Sequence, residues 1–131
     1  MHIDIYTDGS VWPNPGGTGG WAAILKANGQ TKEISGRLPI ATNNTAELTA
    51  VIEALSALKG GPHDVTIWTD SEYTQKAIEG MKKPKANIEL LLRIKSLVSQ
   101  HRVTTEWIRG HTGHPENERC DELSNMARLG Q

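Results

Sequence analysis

A single cysteine, Cys120, stands among the 131 residues, so no internal disulfide framework can form and a reducing compartment is the expected setting. No apolar run approaches the roughly 18 residues that a membrane span requires. The opening Met1-His2-Ile3-Asp4 has no basic stretch leading into an apolar one, which argues against a secretory leader and predicts a cytoplasmic protein. No internal repeat, long linker or low-complexity tract divides the chain, and 131 residues suffice for one core but not for two. A single domain over 1–131 is therefore expected, as a monomer with no membrane and no obligatory protein partner. A general excess of positive charge is lacking too, the formal net charge being −1. The distribution is uneven: residues 1–81 carry five Lys/Arg against nine Asp/Glu, and residues 82–119 carry eight against four. A near-neutral protein can still present one basic groove, and a solvated helix face accounts for the same local excess.

The periodicity gives a succession of elements. His2 to Asp8 alternates, with Ile3 and Ile5 on one face, and reads as a strand ending at Asp8 before a Gly/Pro-rich turn. Gly20 to Ala27 and Gln30 to Leu38 form a hairpin about Asn28-Gly29. From Thr42 the period becomes helical: Thr42-Asn43-Asn44 offers caps, Asn44 with Glu47 has the spacing of a capping box, and Ala46, Ala50, Val51, Ala54, Leu55 and Leu58 recur at helical spacing up to Lys59. Val65 to Thr69 is a short apolar strand, and Ser71 can cap a helix to Glu79. Ile88 to Val98 is helical, Val103 to Ile108 is a strand, Arg109 to Pro115 is a loop, and Glu116 to Leu129 is a final helix. The order βββαβααβα favours right-handed crossovers and a mixed five-stranded α/β sheet flanked by helices.

Several acidic residues fall where such a fold places sites. Asp8 and Asp70 each lie at a strand end, and in open α/β sheets sites form outside the carboxyl ends of strands. Each also has an ordinary local role, Asp8 in a turn and Asp70 as a helix cap. Helical spacing puts Glu47 on the stripe with Val51, Ala54 and Leu58, facing the sheet, where a carboxylate is costly unless paired or metal-bound. A capping role near the helix start is its alternative. Asp121 lies early in the last helix, where an acid also suits the helix dipole. Carboxylates converging on one rim would repel unless a cation lay among them. Oxygen donors without thiolates suit Mg2+ or Mn2+. Arg109-Gly110-His111-Thr112-Gly113-His114-Pro115 offers a glycine-bracketed histidine for proton transfer or electrostatics, although spacing alone favours an ordinary surface loop. His111 and His114 invite a zinc reading as well, but neither Cys120 nor His2 has the spacing to complete such a site.

These pieces resemble the type 1 ribonuclease H family. The matching segments are Tyr6-Thr7-Asp8-Gly9-Ser10, Asn14-Pro15-Gly16, Thr42-Asn43-Asn44-Thr45-Ala46-Glu47-Leu48, Thr69-Asp70-Ser71-Glu72-Tyr73, and Trp107 through Leu123, in that order over residues 3 to about 128. The resemblance implies a ribonuclease-H-like sheet in the order 3-2-1-4-5. It implies a metal-dependent endonuclease that hydrolyses the RNA strand of RNA–DNA hybrids, with little sequence preference, leaving 5′-phosphate and 3′-hydroxyl ends. It further implies two Mg2+ ions with substrate bound, Mn2+ being a substitute. Asp8, Asp70 and Asp121 would hold the ion that activates water, Asp8 and Glu47 the ion at the leaving oxygen, with His111 assisting. Gly9, Ser10, Asn14, Glu47 and Glu72 would meet the RNA strand, Asn43 and Asn44 the minor groove, and Thr42 and Arg109 a DNA phosphate.

The chain departs from the common bacterial pattern in two places. The long basic insertion after the second helix is missing, leaving Lys82, Lys83 and Lys85 in a short loop as the basic contacts. Glu72 replaces the usual glutamine. Two further readings share the fold: a nucleic-acid-binding module that has lost catalysis, and a related nuclease such as a junction resolvase or a 3′–5′ exonuclease.

Overall fold

Strand β1 (His2–Trp12) is the centre of the architecture, because every part of the site is placed relative to it. In a computed structural model that describes residues 2–109 and 114–131, β1 pairs antiparallel with β2 (Thr18–Ala27), which pairs antiparallel with β3 (Gln30–Leu38). On its other side β1 pairs parallel with β4 (Asp64–Thr69), which pairs parallel with β5 (Arg102–Trp107). The sheet order is β3-β2-β1-β4-β5, as expected. Helices α1 (Asn43–Ser56), α2 (Glu72–Glu79), α3 (Ile88–Val98) and α4 (Pro115–Arg128) complete the chain.

Alternation along the strands divides the core between two layers. Ile3, Ile5, Ala23 and Leu25 pack against Leu48, Val51, Ile52 and Leu55 of α1 and Leu91 and Ile94 of α3. The next residues in register, Tyr6 and Ile24, point to the opposite face and pack with Ile108 and Cys120, under α4. The apolar area removed from water on both faces is the main stabilising term. Two glycines permit backbone-close contacts between layers. A Cβ on Gly9 would lie 2.8 Å from the Ala46 Cβ and the Glu47 amide nitrogen, so α1 crosses β1 only because that side chain is absent. A Cβ on Gly20 would lie 2.1 Å from the Ser124 carbonyl oxygen, so α4 rests directly on β2.

Four local expectations are corrected. β1 does not end at Asp8; it continues to Trp12, because Asp8 through Trp12 keep antiparallel partners in β2, from Ala22 to Thr18. Of the caps that Thr42-Asn43-Asn44 offers, α1 uses Thr42 and not Asn44 with Glu47: the Thr42 hydroxyl accepts from the Thr45 amide at 3.1 Å while the Thr42 amide donates to the Thr45 hydroxyl at 2.8 Å. Glu47 is thus the fifth residue of α1, beyond any capping position, and the helix closes at Ser56, short of Lys59. α4 begins at Pro115, which puts Asp121 seventh in the helix, past the first turn where the helix dipole favours an acid.

Candidate active site

The parallel ladder between β1 and β4 stops at Tyr6 and Trp68, and β4 ends at Thr69. Asp70 is the first residue to leave the sheet there. β1 runs on past it, so Asp8 lies beside the vacated edge. Glu47 arrives from α1, brought down by the close approach at Gly9. Ligand oxygens of Asp8, Glu47 and Asp70 all lie within 4.8 Å of one another. Asp8 and Glu47 are buried, at 6% and 7% exposure, and Asp70 is half-buried. The Gly9 amide donates to Asp8 Oδ1 at 2.9 Å and to Glu47 Oε1 at 3.1 Å. Glu47 Oε2 is buried with no hydrogen-bond partner.

The electrostatics follow from this crowding. Burial is the main cause that pushes the Asp8 carboxyl up to about 7; the charges of Asp70 and Asp121 add to it, while hydrogen bonding to Glu47 and Gly9 opposes it. Glu47 is also held well above its usual range, by burial first and then by the Asp8 charge, hydrogen bonding with the Asp8 carboxyl, and the Asp70 charge. Near neutral pH the pair therefore keeps a proton when nothing else neutralises it. A hard divalent cation fits the donor set: all-carboxylate oxygens, one of them buried and without a partner, with more negative charge than the site can hold bare. The three carboxylates could hold such an ion.

Asp121 is exposed on α4 and lies outside this close cluster, though near enough for its charge to raise the Asp8 carboxyl. Ser10 faces α4, its hydroxyl donating to Asn125 Oδ1 and accepting from Arg128 Nε at 3.1 Å. Asn14, at the β1–β2 turn, accepts from the Asn43 amide at 3.0 Å, tying that turn to the start of α1. Asn43 and Asn44 are exposed there, and Thr42 is engaged in the cap. Glu72 opens α2 and is exposed; Arg109 is exposed after β5; Lys82, Lys83 and Lys85 are exposed between α2 and α3. His111 lies outside the described residues. His114, which follows, packs against Tyr6 and Trp68 with ring centroids at 5.5 and 6.1 Å.

The role of Gly9 escaped the reading of the sequence. Glycine after aspartate suggests a turn, whereas here it is a mid-strand gap that admits α1 and an amide that serves two carboxylates. The small Ala46 directly before Glu47 was the available signal for so close a crossing.

A family model described as RNase H matches residues 1–128. The Ribonuclease H of Nitratidesulfovibrio vulgaris (strain DP4) is 46% identical over 136 residues, covering 93% of this chain and 86% of that protein. Among solved structures, the N-terminal RNase H domain of rv2228c from Mycobacterium tuberculosis, a fusion with maltose binding protein, superposes with a TM-score of 0.85 at 28% identity, over 99% of this chain and 95% of that one. LC11-RNase H1 in complex with an RNA/DNA hybrid gives a TM-score of 0.82 at 29% identity, over 98% and 97%.

Proposed function

The chain belongs to the RNase H family, and from that premise we propose that it is a metal-dependent endonuclease cutting the RNA strand of RNA–DNA hybrids at the Asp8–Glu47–Asp70 cluster. The observation that carries the reading is the convergence of those three carboxylates, two of them buried, at the edge where β4 stops. The hybrid complex of the structurally similar LC11-RNase H1 supports the substrate class.

Asp8, Glu47 and Asp70, joined by Asp121, would hold two Mg2+ ions when the hybrid is bound, with Mn2+ able to replace them. Such ions supply an activated water and charge stabilisation at the leaving 3′ oxygen. The protein's own part is to place and orient. Gly9 fixes the facing oxygens of Asp8 and Glu47 through one amide. Asp70 adds a more accessible carboxylate at the open side. Asp121, on an exposed helical face, adds the fourth. His111 assists the step by proton handling or product departure. Hydrolysis in line leaves a 5′-phosphate and a 3′-hydroxyl.

Recognition rests on Gly9, Ser10, Asn14 and Glu72 at the RNA strand, where 2′-hydroxyls distinguish it from DNA. Asn43 and Asn44 meet the shallow minor groove, and Thr42 and Arg109 a DNA phosphate. Such contacts position the duplex without reading its sequence. Lys82, Lys83 and Lys85 add a short basic contact, which makes binding sensitive to salt. With its one buried cysteine the chain suits the cytoplasm, and we assign it there as a monomer.

Cleavage of an end-labelled hybrid with and without Mg2+, mapping the cut strand and its ends, tests the proposal. RNA-strand cuts with 5′-phosphate products are expected. Duplex DNA and a four-way junction belong in the same panel. Preferential cutting of the junction, or metal-independent binding without cleavage, would replace this reading with a resolvase or an inactive binding module.

A further inference from the structure

Side-chain hydrogen bonds tie α4 to β1 on both sides of the acids. Cys120 Sγ donates to the Tyr6 carbonyl at 3.3 Å, and the Ser10 hydroxyl donates to Asn125 Oδ1. Asp8 lies midway between Tyr6 and Ser10 on the strand, and Asp121 lies between Cys120 and Asn125 on the helix. A thiol is a weak donor, so the bond from Ser10 to Asn125 is the stronger of the two. Asn125 also reaches back along its own helix: its Nδ2 donates to the Asp121 carbonyl at 2.9 Å, which accepts from the Ser124 hydroxyl at 2.9 Å as well. Arg128 closes the set, with Nε donating to the Ser10 hydroxyl at 3.1 Å and Nη2 to Asn125 Oδ1 at 3.4 Å. Asp121, Asn125 and Arg128 follow at intervals of four and three, so they share one face of α4.

Asp8 and Glu47 are fixed to each other by the Gly9 amide and need none of these bonds. Asp121 differs. It is exposed, and among the described residues its carboxylate accepts no hydrogen bond and pairs with no base. Its place relative to Asp8 is therefore set by the backbone that carries it. Apolar packing of α4 on the sheet is non-directional: it fixes how closely the helix lies, not how far along β1 it sits. A slide of one residue along a helix axis is about 1.5 Å, whereas a metal–ligand distance tolerates only about 0.2 Å. Directional bonds are what hold so fine a register. The hydroxyl of Ser10 is committed to this task, because its one proton is spent on Asn125 and none remains for a 2′-hydroxyl of the RNA.

We propose that Asn125 is a positioning residue for metal capture: by joining the Asp121 peptide to the Ser10 hydroxyl, it holds the fourth carboxylate in register with Asp8. Arg128 steadies the bridge by donating to both Ser10 and Asn125. The inference rests on the reading of Asp121 as a ligand to the ions at the Asp8–Glu47–Asp70 cluster. Groups behind a metal ligand act in this way, through the ligand's orientation and not through contact with the ion.

The test compares the wild type, Asn125→Ala, Asp121→Asn and the double variant. Two readouts are taken: Mn2+ uptake by the free protein in calorimetry, and the Mg2+ concentration that half-saturates cleavage when hybrid is in excess. Alanine is a strong helix former, so Asn125→Ala keeps α4, which circular dichroism checks. For Asn125→Ala both the Mn2+ Kd and the Mg2+ half-saturation point are expected to rise about tenfold, with kcat recovered at saturating Mg2+. In the Asp121→Asn background the same substitution should add nothing to either, since the ligand it positions is gone. Ser10→Ala should shift the metal dependence as Asn125→Ala does, and Ser10→Thr, which keeps the hydroxyl, should restore it. Unchanged metal affinity in Asn125→Ala, or an equal loss in both Asp121 backgrounds as a merely structural bond would give, would overturn the inference and leave the hybrid reading intact. Unchanged metal affinity in Asp121→Asn would overturn it together with the fourth ligand. A wild-type chain that takes up no Mn2+ and cuts no hybrid would overturn the whole reading.

Discussion

Asp8 and Glu47, far apart in sequence, accept hydrogen bonds from one and the same amide, that of Gly9. Two acids facing a single donor cannot both be charged at low cost, and burial raises both carboxyls above their usual range. The consequence for stability has a definite sign. A carboxyl that titrates near 7 when folded and near 4 when unfolded binds more protons in the native state between those values. Its stabilising contribution is full below about pH 4 and is lost as pH rises through about 7. In chelator, Asp8→Asn is therefore expected to be more stable than the wild type by a few kcal/mol at pH 8, a gain that shrinks toward pH 4. Thermal melts across that range check it. Equal gains at both pH values would show that Asp8 is ionised throughout.

Asp70→Asn is expected to leave the fold intact and to lower Mg2+-dependent cleavage about a thousandfold or more, the loss of several kcal/mol of charge stabilisation. Asp70 is only half-buried, and its charge repels both buried acids, so melting in chelator should not fall. Turnover and circular dichroism on the same preparation decide it; near-wild-type turnover would remove this residue from the chemistry.

Gly9→Ala tests the contact between α1 and β1. The added methyl would meet Ala46 and the Glu47 backbone at 2.8 Å, well inside contact distance, so the helix must shift. We expect a loss of about 1–3 kcal/mol in stability, with weaker metal uptake measured by calorimetry because Glu47 moves away from Asp8. An unchanged melting temperature would mean that α1 yields freely there.

His111→Ala is expected to slow turnover about a hundredfold without abolishing it, the range of a single proton-transfer group acting beside metal-assisted chemistry. A pH–rate profile should lose one limb in the variant. Complete inactivity with normal metal uptake would assign His111 a larger role.

Much of the architecture could be read from local pattern. Alternation at Ile3 and Ile5, helical spacing from Ala46 to Leu55, and the Asn28-Gly29 turn all correspond to elements of the structure. The misjudged boundaries have physical causes. Gly9 and Ser10 look like a turn until β2 is seen to supply ladder partners as far as Trp12 and Thr18. Two threonine hydroxyls cap α1 reciprocally, where the familiar pattern pairs a hydroxyl with a carboxylate. For the site, helical spacing alone turned Glu47 inward. Asp8 and Asp70 had ordinary local explanations, and only the pairing of β1 with β4, a contact between distant segments, brings them together. Local residue preferences carry no information about that pairing; the family motifs did.

The bare contact between Gly20 and the Ser124 carbonyl, with no side chain between them, clamps the last helix to its strand as a bolt clamps a bracket. Any side chain at position 20 would push the Ser124 carbonyl away and lift α4 off its strand, displacing Asp121 relative to Asp8, so the missing methyl at Gly20 sets where the fourth acid stands.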